Sequence, residues 1–263
     1  MLDIKSGVFG YKKKTTKKIV LDGITLQLQP GELMCILGAN GVGKTTMYRT
    51  ILGFLPLLGG EIYVDGESIQ TISREELARR IAYVPQYHTP PFPYSVFDVV
   101  LMGRGAHVSR FSAPGKKDED ITVQMLNRMG ILHLKDEIYT EISGGERQLV
   151  LIARALTQQA RYLLMDEPTS NLDFGNQIRL LKEIRKLADE GIGICFTSHD
   201  PNCAFLTDAS VLALEGKTQW EKGSAHKIIT EDQIKEMYGL DVTIKTFEGK
   251  NKKSMQHIVA EID

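Results

Sequence analysis

Short apolar runs alternate with segments of helical periodicity along this chain of 263 residues. The runs 33–37, 81–84, 162–167 and 193–197 are mostly apolar, which is typical of buried parallel strands, and the third ends in two carboxylates. Residues 2–8 and 24–29 predict an antiparallel sheet, because Ile24, Leu26 and Leu28 alternate with polar neighbours. A strand at 61–64 and a hairpin of 211–214 with 218–221 complete the predicted strands.

Helix boundaries are marked by residues that satisfy exposed backbone groups. Ser73 and Thr230 each begin a capping box, and Asp200 can cap a helix whose first position is Pro201. The predicted helix 174–190 ends at a glycine, and the helix after Thr230 ends at Gly239. Helices that alternate with buried strands predict an α/β fold.

Residues 87–159 differ from the rest of the chain because they carry few strand signals. The proline-rich stretch 90–93 excludes regular structure, and helices are predicted at 95–104, 118–129 and 143–159. We therefore predict a single domain with a core formed by 1–86 and 160–242, an inserted helical subdomain at 87–159, and a C-terminal tail at 243–263. The mixed pattern of 249–263 predicts no element.

Composition limits the kinds of partner that the chain is expected to bind. A formal net charge of −1 and a pI near 6.6 give no reason to expect nucleic acid binding. Cys35, Cys195 and Cys203 show no paired spacing and suit buried thiols in a reducing compartment. The sequence carries no signal segment and no apolar run near the length of about 20 residues that spans a bilayer, which predicts a soluble, cytoplasmic protein. Any membrane association must then come through a partner.

Five lysines crowd the segment 12–18, between the first two predicted strands. A solvated hairpin tip is the first interpretation of this run, and contact with a partner or with lipid headgroups is the alternative.

The segment 38–46 fits the phosphate-binding template of Gly, four residues, and Gly-Lys-Ser/Thr. It follows an apolar strand and precedes a predicted helix, so that backbone N–H groups and the helix N-terminus converge on one anion. Lys44 is expected to reach the β- and γ-phosphates, and the Thr45 hydroxyl to hold Mg²⁺. The predicted nucleotide-binding residues of the segment are Gly38, Asn40, Gly41, Val42, Gly43, Lys44, Thr45 and Thr46.

Two carboxylates end the strand at 162–167, where open α/β sheets bind ligands. Asp166 suits a Mg²⁺ shell, and Glu167 is placed to orient an attacking water. The stretch Ser143-Gly144-Gly145-Glu146 fits a capping box, so a purely structural helix start is one interpretation. Two consecutive glycines are costly in a helix, however, unless something approaches the backbone closely.

With these motifs in order, nearly the whole chain resembles the nucleotide-binding subunit of ABC transporters. The resemblance implies a P-loop NTPase core with an antiparallel β subdomain and the helical insertion. It makes 38–46 the Walker A loop, 163–166 Walker B and 142–146 the signature motif, with Ile142 for the usual Leu and Glu146 for the usual Gln.

The resemblance also implies roles for individual residues. Tyr11 would stack on adenine, and Gln86 would touch Mg²⁺ and face the membrane partner. Glu167 would be the catalytic carboxylate, Asp173 part of the D-loop, and His199 the switch residue at the γ-phosphate. The implied catalytic residues are thus Lys44, Gln86, Glu167 and His199, the metal-binding residues are Thr45, Gln86 and Asp166, and Tyr11, Ser143, Gly144, Gly145, Glu146 and Asp173 join the nucleotide-binding set.

The resemblance implies that two copies act together. The signature helix of one copy would point at the γ-phosphate held by the other, and two ATP molecules with Mg²⁺ would be sandwiched head to tail. ATP binding and hydrolysis would then close and open the dimer and drive a polytopic permease, so the chain would lie at the cytoplasmic face of the cell membrane.

The short interval between Gln86 and Ser143 lacks the sustained heptads of chromosome and repair relatives, which favours a separate importer subunit. Residues 95–104 and 229–242 resemble importers of metal chelates such as ferric siderophores, haem or cobalamin, whose cargo arrives on an extracytoplasmic binding protein. Pro201 departs from that subgroup, which usually has Leu there. The alternatives are an importer of another substrate class and a soluble ABC ATPase that works in assembly or repair.

Overall fold

The computed structural model describes residues 1–13, 16–86, 92–108, 112–248 and 254–260. In chain order the strands are β1 (Leu2–Lys13), β2 (Thr16–Leu28), β3 (Leu33–Gly38), β4 (Gly59–Val64), β5 (Glu67–Ser68), β6 (Ile81–Val84), β7 (Tyr162–Met165), β8 (Gly193–Ser198), β9 (Ser210–Leu214), β10 (Trp220–Ser224), β11 (Val242–Glu248) and β12 (Ser254–Ala260). The α-helices are α1 (Lys44–Ile51), α2 (Arg74–Arg80), α3 (Val96–Leu101), α4 (Lys116–Arg128), α5 (Gly144–Thr157), α6 (Phe174–Asp189), α7 (Asn202–Thr207), α8 (Ala225–Ile228) and α9 (Glu231–Tyr238).

The central sheet has six strands in the order β10-β9-β3-β8-β7-β6, and only the edge strand β10 runs antiparallel to its neighbour. All residues of β3, β7 and β8 are buried. The structure thus confirms the predicted parallel strands. Strands that are apolar on both faces are buried when other elements cover both faces of the sheet. This order places β8 between β3 and β7, so the carboxyl ends of the three strands meet at one edge.

A second sheet, in the order β2-β1-β4-β5, is antiparallel throughout and confirms that prediction. Leu2 of β1 faces Leu28 of β2, and the two strands continue to the pair Lys12 and Lys17. The lysine run therefore extends the hairpin rather than interrupting it. The two positions at its tip, 14–15, lie outside the described residues.

The block between β6 and β7 is helical as predicted, with the first helix shorter than expected. Helix α3 ends at Leu101, and Met102–Ala106 continues as a 3-10 helix. The guanidinium of Arg104 is buried there, where it donates to Asp118 of α4 at 2.8 Å and to the carbonyl of Thr157 at the end of α5 at 2.7 Å. This block is the part of the chain that we propose as the helical subdomain; residues 90–91 of the proline-rich stretch before it lie outside the described residues.

Three expectations about helix starts need correction. The hydroxyls of Ser73 and Thr230 accept the expected hydrogen bonds from the amides of Glu76 and Gln233. The prediction that the side chains of Glu76 and Gln233 bond back to the cap residues is wrong. Glu76 accepts from Arg80, and Gln233 donates to Glu215, because each finds a stronger partner outside its own helix turn. Helix α7 begins at Asn202, one residue later than predicted, and its amide donates to the carboxylate of Asp200.

The C-terminal hairpin of β11 and β12 was not predicted. Val242 pairs with Ala260 and Glu248 with Ser254, in a two-stranded sheet of its own. Ile244 and Ile258 pack against the main hydrophobic cluster, so this hairpin is docked on the domain. Polar residues occupy most of the other positions of β11 and β12, so the alternation of apolar and polar residues is not evident in the sequence.

The apolar core lies on both faces of the central sheet, in one cluster under the helices and another between the two sheets. Cys35, Cys195 and Cys203 are buried free thiols, as expected. Among the described residues, none of the helices combines the length and hydropathy needed to cross a bilayer.

Candidate nucleotide-binding site

The turn between β3 and α1 has the backbone shape of a phosphate cradle. Gly41 and Gly43 adopt positive φ values of 81° and 124°, a region that side chains rarely enter. A Cβ at Gly43 would lie 2.6 Å from the side chain of Val20, so this position also needs glycine for space. Helix α1 begins directly afterwards at Lys44, and its free N–H groups therefore face the loop.

The side chain of Lys44 crosses the loop from its far end. Its Nζ donates to the carbonyl of Gly38 at 2.6 Å and to that of Ala39 at 3.3 Å, and lies 4.0 Å from a carboxylate oxygen of Glu167. Burial lowers the pKa of Lys44, while Glu167 and Asp166 act in the opposite direction. The loop thus holds a positive charge at its centre, where a phosphate chain would lie.

Thr45 and Asp166 come together although 121 residues separate them in the sequence. The hydroxyl of Thr45 donates to Oδ2 of Asp166 at 2.6 Å, and the hydroxyl of Thr197 donates to Oδ1 at 2.8 Å. Sequence reasoning missed Thr197. The signal available was a polar residue at the carboxyl end of β8, between the two strands that carry the motifs.

Glu167 has strained backbone geometry and three neighbours from different elements. Its φ is 48°, which is uncommon for a residue with a side chain. Its amide donates to Thr197 at 2.8 Å, and its carboxylate accepts from Nε2 of Gln86 at 2.6 Å and lies 3.5 Å from Nδ1 of His199. The three predicted catalytic side chains Gln86, Glu167 and His199 therefore meet at one point beside Lys44.

These residues line a cleft of about 770 Å³. Tyr11 also lines the cleft; it is 39% exposed, and its hydroxyl shares a 3.0 Å hydrogen bond with that of Thr46. Five further residues of the cleft wall were not predicted from the sequence: Lys18, Ile19, Val20, Gly216 and Lys217. The last two come from the turn between β9 and β10, which the amide of Asp22 ties to β2 at 2.7 Å.

The predicted residues of the second half of the site lie away from this cleft. Ser143 caps α5 in a complete capping box with Glu146, as the sequence predicts. A Cβ on Gly145 would contact Leu172 at 3.4 Å, and Asp173 caps the next helix, α6, by accepting from Asn176 at 2.9 Å. Signature and D-loop residues thus form one neighbouring surface, outside the residues that line the cleft.

The sequence profile of the ABC transporter family matches residues 21–170, more than half of the chain. The chain belongs to the ABC transporter family. Its place there is that of the ATP-binding subunit, and such subunits are ATPases.

Several ABC transporter subunits align over most of their length. An uncharacterized ABC transporter ATP-binding protein of Haemophilus influenzae is 40% identical over 238 residues, 90% of this chain and 89% of its own. The molybdate import ATP-binding protein MolC of the same organism is 34% identical, over 82% and 81%. The hemin import ATP-binding protein HmuV of Hahella chejuensis is 37% identical, over 87% and 90%.

Solved ABC transporter structures share the fold. An inward-facing transporter described as of metal-chelate type superposes with a TM-score of 0.85 at 30% identity and covers 99% of this chain and 97% of its own. A dimeric bacterial ABC transporter cassette, MJ0796, gives a TM-score of 0.73 at 25% identity, over 84% and 98%. In this family, therefore, cassettes form dimers, and the cassettes of importers work with a membrane permease.

Proposed function

We propose that this chain powers the uptake of a metal chelate, such as a ferric siderophore, haem or cobalamin, through a separate polytopic permease. The observation that carries the proposal is the agreement between the hemin import relative and the metal-chelate type transporter, whose alignment extends over 99% of this chain. The cargo would reach the permease on an extracytoplasmic substrate-binding protein, and this chain would supply ATP hydrolysis at the cytoplasmic face of the membrane.

For hydrolysis, we propose that Glu167 orients the attacking water and that Lys44 holds the β- and γ-phosphates. Gln86, which donates to one oxygen of Glu167 at 2.6 Å, fixes the direction of that carboxylate. His199, which lies 3.5 Å from Glu167, would contact the γ-phosphate, and Tyr11 would stack on the adenine. These assignments fit the cleft, because its lining combines the charged side chains of Lys44 and Glu167 with the exposed aromatic ring of Tyr11.

A divalent cation suits the side-chain oxygens of Thr45, Asp166 and Gln86. The hydroxyl of Thr45, the carboxylate of Asp166 and the side-chain oxygen of Gln86 are the hard ligands that Mg²⁺ prefers, and no sulfur or imidazole is among them. We propose that these three residues hold Mg²⁺ together with phosphate oxygens. When bound, the ion neutralises charge that develops on the transferred phosphoryl group.

The second half of the nucleotide site would come from a second copy of the chain. Ser143, Gly144 and Asp173 lie outside the cleft of their own chain and have exposed surfaces. The N-terminus of α5 presents free N–H groups there, which suits the γ-phosphate of a nucleotide held by another copy. We therefore propose a head-to-tail dimer with two ATP molecules at its interface.

A groove in the helical block supports the docking of a permease. It has a volume of about 600 Å³ and is lined largely by apolar side chains, among them Tyr94, Leu101 and Met102. Met102 is 45% exposed although it is apolar, as expected of a residue that another protein covers. We propose that a short cytoplasmic helix of the permease occupies this groove.

The first test is co-purification of the tagged chain from its native membranes, followed by assays of ATPase activity and uptake. Recovery of a polytopic permease that transports a metal chelate in an ATP-dependent manner would support the proposal. The molybdate import relative favours an oxyanion as the second candidate cargo, so molybdate uptake is measured alongside. A soluble partner with no permease would indicate a role in assembly or repair instead.

A further inference from the structure

The hydroxyl of Thr197 joins the two carboxylate residues that directly follow β7. It donates to Oδ1 of Asp166 at 2.8 Å and accepts from the backbone amide of Glu167 at 2.8 Å. The proton of this hydroxyl has only one place in the arrangement, because an amide can only donate and an ionised carboxylate can only accept. Asp166 and Glu167 are therefore both held to β8 through one oxygen atom.

Thr197 occupies a position where the surroundings favour an apolar side chain. Every residue of β8 is buried, and 0% of the surface of Thr197 is exposed. Valine has nearly the same shape and would fill this position without the cost of removing a hydroxyl from water. The hydroxyl therefore contributes to the fold only through its two hydrogen bonds, and both of them go to residues of the candidate site.

The bond to Glu167 holds a backbone conformation that is unfavourable by itself. The φ of Glu167 is 48°, in a region that residues with a side chain rarely enter. Such a conformation persists only where the surrounding structure fixes it. By pairing with this amide, Thr197 helps to fix the turn from which the Glu167 carboxylate contacts Gln86 at 2.6 Å and Lys44 at 4.0 Å.

The bond to Asp166 distinguishes its two carboxylate oxygens. Oδ1 accepts from Thr197, whereas Oδ2 accepts from Thr45 of α1 at 2.6 Å. Thr45 is one of the three residues that suit a divalent cation, so Oδ2 is the oxygen on the side of the proposed metal position. Because Thr197 occupies Oδ1, it limits rotation of the carboxylate and keeps Oδ2 on that side.

We propose that Thr197 is a positioning residue for ATP hydrolysis. Its hydroxyl fixes the carboxylate of Asp166 and the backbone of Glu167 relative to each other, so that the residue proposed for the metal and the residue proposed for the water keep one mutual orientation. Thr197 is not among the residues that line the cleft, so it acts through these two residues and not on the nucleotide. The inference rests on the roles of Asp166 and Glu167 in the proposed function and is independent of the cargo.

The test separates the hydroxyl of Thr197 from its methyl group. Thr197→Val keeps the volume of the side chain and removes both hydrogen bonds, whereas Thr197→Ser keeps the hydroxyl and removes the methyl group. We expect Thr197→Val to lower kcat at saturating ATP and Mg²⁺ about tenfold to a hundredfold, the range expected when reacting groups are slightly displaced. Thr197→Ser should keep most of the wild-type kcat, although the lost methyl group lowers its Tm.

Equilibrium binding gives a readout that does not depend on turnover. The Kd of a non-hydrolysable ATP analogue is measured with and without Mg²⁺. Without Mg²⁺ we expect Thr197→Val to bind the analogue as the wild type does. When Mg²⁺ is added, the variant should gain less affinity than the wild type, because Oδ2 of Asp166 is no longer held toward Thr45.

Thr122→Val is the matched control. Thr122 is also 0% exposed, and its hydroxyl donates to the backbone carbonyl of Asp118 at 2.8 Å within α4. The substitution removes a buried hydroxyl of the helical block, away from the nucleotide cleft. It should lower the Tm and leave kcat and both Kd values unchanged.

Thr197→Ala also lacks the hydroxyl and should lose as much kcat as Thr197→Val, which tests the inference at a smaller side-chain volume. A Thr197→Val variant with the kcat and the Mg²⁺ response of the wild type would overturn the inference. Equal losses of kcat in the valine and serine variants would do the same, since they would follow the packing of the side chain and not its hydroxyl. A wild-type chain that neither binds the analogue nor hydrolyses ATP would instead count against the proposed function.

Discussion

The side-chain amide of Gln86 donates a 2.6 Å hydrogen bond to the carboxylate of Glu167. Gln86 follows β6 at the edge of the central sheet and directly precedes the segment that leads to the helical block. A displacement of Gln86 would therefore change the direction of the Glu167 carboxylate. The bond offers a physical route by which a docked permease could turn hydrolysis on or off.

Glu167→Gln should retain ATP binding and lose hydrolysis. The substitution keeps the size of the side chain and removes the negative charge that orients water, so we expect kcat to fall by about 10²- to 10⁴-fold. Steady-state ATPase assays and binding of an ATP analogue measure the two effects. Glu183→Gln, which changes one of the two carboxylates that pair with Arg128, is the matched control. Substantial turnover in Glu167→Gln would remove Glu167 from the proposed role.

Asp166→Asn should weaken the response to Mg²⁺ more than the binding of nucleotide. Thr45 and Thr197 donate to different oxygens of Asp166, and asparagine replaces one of these oxygens with an NH₂ group that cannot accept. We expect a higher Mg²⁺ concentration for half-maximal ATPase activity, and complete loss of activity in the wild type when a chelator removes the metal. Activity that survives chelation would contradict the proposed metal site.

Glu146→Gln should strengthen the ATP-dependent dimer. The carboxylate of Glu146 accepts from the amide and the hydroxyl of Ser143, and these bonds lower its pKa, so its charge persists at neutral pH. In the proposed dimer that charge lies close to a γ-phosphate and repels it. We expect a lower KM for ATP in the variant, with little change in Tm because glutamine also completes a capping box. An unchanged KM would place the signature surface away from the nucleotide of the other copy.

Phe174→Ser should weaken the dimer without affecting the monomer. Phe174 is 78% exposed and follows Asp173 on the surface that we propose as the interface, where aromatic anchors contribute strongly to binding. In a Glu167→Gln background with ATP, we expect about tenfold weaker dimerisation, or about 1.4 kcal/mol, by analytical ultracentrifugation. Phe54→Ser is the control, because Phe54 is 68% exposed but lies beyond the end of α1 that faces away from the phosphate loop. Equal effects of both substitutions would argue against this interface.

Gly103→Ala should destabilise the helical block. A Cβ at Gly103 would lie 2.0 Å from the carbonyl oxygen of Arg154 and 2.1 Å from the hydroxyl of Thr157. The 3-10 helix Met102–Ala106 and α5 would have to separate, at a cost of about 1–3 kcal/mol. Gly105→Ala has nothing within 4 Å of the added atom and should leave the free energy of unfolding almost unchanged. Chemical denaturation of both variants tests the packing directly.

Much of this fold could be predicted because the signals are local. The phosphate loop and the strands that are buried on both faces carry short, dense patterns, and the structure confirms those strands. The approach of Thr45 to Asp166 also followed from strand ends that meet at one edge of a sheet. The residue roles at this edge remain proposals, since they depend on a bound nucleotide.

The features that were missed depend on contacts distant in sequence. Thr197 matters because β8 lies between two motif strands, and strand order cannot be read from a single run of residues. The side chain of Gln233 donates to Glu215 instead of completing the capping box of its own helix. No local sequence pattern distinguishes these two outcomes. The C-terminal hairpin was not predicted for a similar reason. Only its packing against the core shows which of its positions are buried.

The bonds from Lys44 to the carbonyls of Gly38 and Ala39 have a kinetic consequence. They hold the loop in its curled shape from within, so no ordering step has to precede the arrival of ATP. Association should then be limited by encounter and by the release of these two bonds, not by a search among loop conformations. Regulation of such a cassette would act mainly on the rate at which the nucleotide dissociates.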